Sequence, residues 1–252
     1  MTVEARRAVT EDRLLAGRVR LLQAARGYRV AIDPVILAAA VPARAGEAVL
    51  DLGCGSGAAV LCLLARVPGV AATGLECDPA SAALARDNAA ANGHAESVRI
   101  LTGDLLAPPP ELRPARFDHV LLNPPYLDPA RARLPEDLDR RRSHGEASAG
   151  LADWLDLGLR RLRDGGSLSV IHRAERLDEI LAALAGRAGG IVVFPLWPGG
   201  PEPKPAKRIV VRARKGSRAA LRLHPGLVLH RPDGGFTAAA ETVLRDAAPL
   251  PM

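Results

Sequence analysis

Ala48-Val49-Leu50-Asp51-Leu52-Gly53-Cys54-Gly55-Ser56-Gly57 is the stretch that decides the fold. An apolar run enters three alternating glycines, and an alanine- and leucine-rich segment follows through about Arg66. The run reads as a strand buried on both faces and the segment as a helix. Glycines allow the sharp turn between the two and let a ligand lie against the backbone. The helix N-terminus then presents free N–H groups to an anion. Outward from this unit, Val70 to Leu75 reads as a second strand ending in Glu76. A helix from Pro79 to Asn92 follows, with Pro79 in its first turn. A third strand, Val98 to Thr102, ends at Gly103-Asp104, and a fourth, Phe117 to Leu122, ends at Asn123-Pro124-Pro125-Tyr126. This alternation predicts an α/β fold with a Rossmann-like, doubly wound, mostly parallel sheet, which binds ligands at its strand ends.

Two ligands fit a glycine loop followed by an acid. Gly53-x-Gly55-x-x-Ala58 satisfies the loose dinucleotide pattern, and Glu76 lies where an acid binds two ribose hydroxyls. S-adenosylmethionine (SAM) accounts for more of the residues. Asp51, just before the glycines, can meet an ammonium group, and Asp104 can accept from an adenine amino group. Lysine is absent outside 204–215, which leaves no lysine for hydride chemistry in the first half of the chain. In Asn123-Pro124-Pro125-Tyr126 the two prolines lock φ and remove two backbone donors. Such a stiff turn holds an amide oxygen and a carbonyl at a fixed separation. That pair of acceptors suits an NH2 group on a planar ring or amide, and Tyr126 offers it an aromatic face. Standing alone, the tetrapeptide reads equally well as a loop cap. At the fourth strand end, in line with Asp51, Glu76 and Asp104, it reads as chemistry.

With these four strand ends the chain resembles the class I SAM-dependent methyltransferases of the amino-methylating type. Within them it is most similar to the bacterial tRNA(Val) adenine-N6 methyltransferases, over most of its length. Tyr28-Arg29-Val30-Ala31-Ile32-Asp33-Pro34-Val35-Ile36-Leu37-Ala38 resembles the segment that packs against the SAM methionine. Pro205 to Gly216 resembles a strand near the family's C-terminus. The resemblance implies a cofactor site of Asp33, Asp51, Gly53, Gly55, Gly57, Glu76, Cys77, Asp104, Leu105 and Asn123. It implies catalysis by Asn123, Pro124, Pro125 and Tyr126 on an adenine taken out of its stack, with no metal. His144 and His172 are expected to be structural or surface residues. Three alternatives stay open: methylation of a glutamine amide on a protein such as a release factor, methylation of a guanine amine in rRNA, and a SAM- or RNA-binding module without catalysis. The release-factor branch carries a helical domain ahead of its SAM domain, and the stretch before Ala48 is too short for one.

At 252 residues, 48% hydrophobic and 25% charged, the chain is globular rather than disordered. Residues 1–46 are expected to form an N-terminal extension and cofactor-packing segment, and 47–252 the methyltransferase domain. Cys54, Cys62 and Cys77 have no zinc or redox spacing and read as small apolar residues in a reducing compartment. With no signal pattern and no membrane-length run, a cytoplasmic protein is expected. A net charge of +6 favours a polyanionic partner, which the resemblance implies to be RNA and specifically tRNA. The loop after the proline turn supplies Arg131, Arg133, Arg140, Arg141 and Arg142 for phosphate contacts. The C-terminal cluster of Lys204, Lys207, Lys215, Arg208, Arg212, Arg214 and Arg218 reads equally as phosphate-binding or as a solvated face. Further expectations are an amphipathic turn over Leu14–Leu22, a strand over Gly27–Ile32, a strand over Ile191–Leu196, irregular chain over Pro198–Pro205, and a small hairpin over Leu221–Leu229.

Overall fold

The computed structural model of the protein describes residues 9–25, 29–126, 149–200, 202 and 204–252. The chain opens with an antiparallel hairpin, β1 (Val9–Leu14) and β2 (Val19–Ala24). Then come α1 (Asp33–Ala40), β3 (Ala48–Leu52), α2 (Ala58–Arg66), β4 (Ala71–Glu76), α3 (Pro79–Ala91), β5 (Val98–Thr102) and β6 (Phe117–Leu122). Past the proline turn lie α4 (Leu151–Arg161), β7 (Leu162–Arg173), α5 (Leu177–Leu184), β8 (Ala188–Gly199) and β9 (Arg208–Lys215). Short strands β10 (Arg222–Leu223) and β11 (Leu227–His230) and the helix α6 (Ala238–Arg245) complete it.

Strands β3 to β11 form one sheet, ordered β10-β8-β9-β7-β6-β3-β4-β5, with β11 also on β8. Neighbours from β7 to β5 run parallel, and β9 is inserted antiparallel between β7 and β8. The order reverses between β3 and β6, so a crevice opens where their carboxyl ends diverge. Alternate residues explain why both faces are covered. Val49, Leu121, Ile171 and Val210 pack with α1, α2, α3 and α6. Their neighbours Leu50, Leu122, Val170 and Val211 pack with α4 and α5 on the other face. Each fully buried aliphatic side chain contributes about 1.5–3 kcal/mol.

Several expectations need correction. Leu14–Leu22 is a β-hairpin turning through Leu15, Ala16 and Gly17, all at positive φ, rather than an amphipathic turn. The hairpin docks on α3 through two asparagines. Asn88 accepts the Leu22 N–H at 2.7 Å and donates to its carbonyl at 2.8 Å, and Asn92 treats Arg20 likewise at 2.9 and 2.7 Å. Two residues of strand advance about 6.6 Å and four of helix about 6 Å, so the two carboxamides serve as a neighbouring strand. No strand forms over the described part of Gly27–Ile32. Its polar groups go to side chains: Gln23 accepts the Val30 N–H at 2.9 Å, and Arg29 bonds Thr10 at 3.0 Å. Leu221–Leu229 forms no hairpin either. β10 and β11 both run parallel to β8, Arg222 opposite Val192 and Leu227 opposite Leu196. Strand β8 also outruns its expected end and takes in Pro198 and Gly199, because β11 pairs there.

Candidate active site

The loop after β3 and the turn after β6 flank the crevice where the strand order reverses. Gly53, Gly55 and Gly57 have φ of 66°, 54° and 87°, which L side chains rarely adopt. The Leu75 carbonyl accepts the N–H groups of Gly53 and Cys54 at 2.8 and 3.0 Å, which pins the loop to the end of β4. Glu76 closes the ring. One carboxylate oxygen accepts the Gly55 N–H at 2.8 Å and the other the Asp78 N–H at 2.9 Å. A carboxylate has about four acceptor sites, so this buried group keeps capacity for a ribose hydroxyl, and for a second where it displaces the weakly donating Cys77 thiol. Cys77, half-buried, lies with its Sγ 3.5 Å from Glu76 Oε1. Asp104 is exposed and its Oδ1 accepts the Leu106 N–H at 2.9 Å, while Leu105 between them is buried.

Asp51 is the unusual member. It is 2% exposed, and its Oδ2 has no hydrogen-bond partner. Burial, then the nearby Glu76, push its carboxyl up to about 8, against the Val60 N–H, which favours the charged form. A buried carboxyl with an orphaned oxygen is poised for a cation. The ammonium of an amino-acid moiety beside the glycine loop fits that need, whereas a dinucleotide brings none there. The residues present therefore fit SAM. Trp154, in the first turn of α4, overhangs the same loop: a Cβ on Gly53 would lie 2.4 Å from its ring.

Across the crevice, Asn123 is half-buried and Pro124 buried at the end of β6. Tyr126 does not hang free. Its hydroxyl donates to Asp33, and its ring meets that of His172 edge-on, centroids 5.3 Å apart at 67°. Asp33 also receives Arg208 Nη1. Asp33 was expected on the cofactor side, and in the structure its carboxylate is engaged by the motif tyrosine and an arginine of β9. His172 is a residue sequence reasoning undervalued. It is 1% exposed, its Nδ1 has no partner, and the Pro125 carbonyl contacts the ring. Burial, then Arg176, hold it near 4, so the ring is neutral. The available signal was its place at the end of the strand following the proline turn.

Arg131, Arg133, Arg140, Arg141, Arg142 and His144 lie outside the described residues. The C-terminal cluster divides. Arg208 pairs with Asp33, Arg212 donates to the carbonyls of Ala40 at 3.1 Å and Met252 at 2.9 Å, and Lys215 donates to the Leu162 carbonyl at 2.8 Å. These three serve the fold, while Lys204, Lys207, Arg214 and Arg218 remain exposed. Among the described residues no group of acids, cysteines and histidines is arranged to hold a metal.

Comparison with known proteins agrees with this geometry. The family model of the methyltransferase small domain matches residues 29–135, from before α1 through the proline turn. A crystal structure described as a predicted O-methyltransferase, protein Atu636 from Agrobacterium tumefaciens, superposes with a TM-score of 0.70 at 28% identity, covering 86% of this chain and 97% of that one. The matched domain, the sheet order and this likeness make the protein a SAM-dependent methyltransferase of Rossmann-like fold. Among curated proteins it is similar to the tRNA1(Val) (adenine(37)-N6)-methyltransferase of Dickeya chrysanthemi, 27% identical over 86% of this chain and 87% of the relative. The protein of that name from Yersinia pestis is 33% identical over 65% of each chain.

Proposed function

We propose that the protein methylates the exocyclic N6 of an adenine in RNA, specifically tRNA, in the cytoplasm. The observation that carries this reading is the intact Asn123-Pro124-Pro125-Tyr126 turn at the end of β6, across the crevice from the orphaned Asp51 carboxyl. The names of the curated relatives support it. Asp51, the glycine loop, Glu76 and Asp104 hold SAM, which supplies an electrophilic methyl group when bound. On the target side, the Asn123 side-chain oxygen and the Pro124 carbonyl accept the two amine hydrogens. That draws the nitrogen lone pair out of conjugation and aims it into the crevice. Tyr126 supports the base. Alignment and fixed dipoles carry the rate, as no base is needed before transfer. The name of the Agrobacterium structure specifies an oxygen target. A hydroxyl brings one hydrogen and leaves one of the two acceptors unused, so the turn favours an amine.

The test is methyl transfer from labelled SAM into total tRNA of a deletion strain, with nucleosides identified by mass spectrometry. N6-methyladenosine is expected. Asn123→Ala should abolish turnover and leave SAM affinity within about twofold, since its oxygen acts on the target amine. Label entering a release factor and not RNA would transfer the reading to the glutamine amide, which meets the same two acceptors.

A further inference from the structure

Tyr126 closes the proline turn that follows β6. Three elements remote in sequence converge on it. Strand β9 runs antiparallel, so its first residue, Arg208, falls at the carboxyl ends of the parallel strands, opposite Arg173 of β7. Helix α1 begins at the same level with Asp33 in its first turn. Arg208 and Asp33 pair with side chains 26% and 5% exposed, and the same carboxylate accepts the Tyr126 hydroxyl. His172, opposite Ile209 in the β7–β9 ladder, sets its ring edge-on against the tyrosine. The hydroxyl end and one edge of the ring are thus both held.

We propose that Asp33 and Arg208 are positioning residues of the target site: Arg208 fixes Asp33, and Asp33 fixes the ring of Tyr126 before the planar acceptor arrives. Asp33 thereby serves the acceptor rather than the cofactor. A ring locked in advance loses no rotamer freedom when the acceptor stacks on it, and a misplaced ring shifts the nitrogen from its line of attack. Arg208, whose sequence neighbours suit a phosphate contact and a solvated face equally, acts inward instead.

This inference rests on the amine-methylation reading, and a double-mutant cycle on the full chain tests it separately. Turnover on tRNA from the deletion strain is measured for Tyr126→Phe, Asp33→Ala and the two together, with SAM affinity by calorimetry. Asp33→Ala is expected to lower kcat about tenfold to a hundredfold, with SAM affinity unchanged. It should add almost nothing once the hydroxyl is gone. Because Asp33→Ala strands the Arg208 charge, Asp33→Ala with Arg208→Met supplies a variant without a buried unpaired cation, and the same loss is expected from it. Equal losses with and without the hydroxyl, or weakened SAM binding, overturn the proposal and return Asp33 to the cofactor. A wild type that puts no methyl into RNA overturns the adenine reading instead. Proton NMR then decides the inference alone: a slowly exchanging hydroxyl resonance, lost in both Tyr126→Phe and Asp33→Ala, is expected, and its absence from the wild type refutes it.

Discussion

At the scale of single residues, two buried ionisable groups flank the crevice with opposite displacements. Asp51 holds its proton up to about 8 in the folded chain, while in the unfolded chain it ionises near 3.8. Between those values the folded state binds the extra proton, so without cofactor this residue makes stability fall as pH rises from about 4 to 8. A cofactor ammonium reverses the preference, so SAM affinity should climb over the same window. Asp51→Asn should flatten the affinity profile in calorimetry and, above pH 6.5, the stability profile in thermal melts; a slope that survives the exchange there would assign the effect elsewhere. His172 works the other way. It stays neutral down to about 4 against an ordinary 6.5, so the unfolded chain takes the proton first and stability is lost as pH falls through that interval. Between pH 6.5 and 4 it offsets the Asp51 slope, so His172→Phe should leave that slope unopposed, read as a Tm that rises as pH falls through the interval. Asp51, Glu76 and Asn123 were legible as site candidates because each stands within one residue of the end of an apolar strand. Asp33 and His172 were not assigned to the tyrosine, because what joins them is the antiparallel return of β9, and such non-local pairing leaves no periodic trace.

At the scale of elements, glycines mark where backbones approach too closely for any side chain. Gly53→Ala would drive a methyl into the Trp154 ring and strain a φ of 66°. SAM affinity should fall at least about tenfold, since the loop and the helix overhanging it both shift. Gly199→Ala is a control at the far edge of the sheet, where the new methyl would lie 2.0 Å from the His230 carbonyl. It should cost roughly 2 kcal/mol or more by detaching β11, read as a lower Tm, yet leave SAM binding intact. The strands from β3 to β6 were readable because short apolar runs ended in glycine, acid or proline. The outer edge was not. Proline and glycine signal a break, but β8 carries Pro195 and Pro198 and still pairs on both sides. Helix α6 escaped notice although its start was written in Thr237, whose hydroxyl accepts the Ala240 N–H at 3.1 Å.

At the scale of the whole molecule, the charge of +6 predicts RNA affinity that falls steeply with salt, while SAM affinity, set inside the crevice, barely changes. Parallel slopes for the two ligands would refute a polyanionic partner. The docking of the hairpin on α3 has a kinetic corollary. Besides binding both peptide groups of Leu22, Asn88 donates to the Ser56 carbonyl of the glycine loop at 2.9 Å, and it is wholly buried. One carboxamide therefore joins two peptide segments, and neither can open without releasing it. By reciprocity, whatever steadies the loop must also lower the population of the opened hairpin. The Leu22 amide proton should exchange with deuterium more slowly when SAM is present, and Asn88→Ala should make its exchange indifferent to the cofactor. The hairpin is thus a clock on the far side of a helix, and its rate reports whether the crevice is filled.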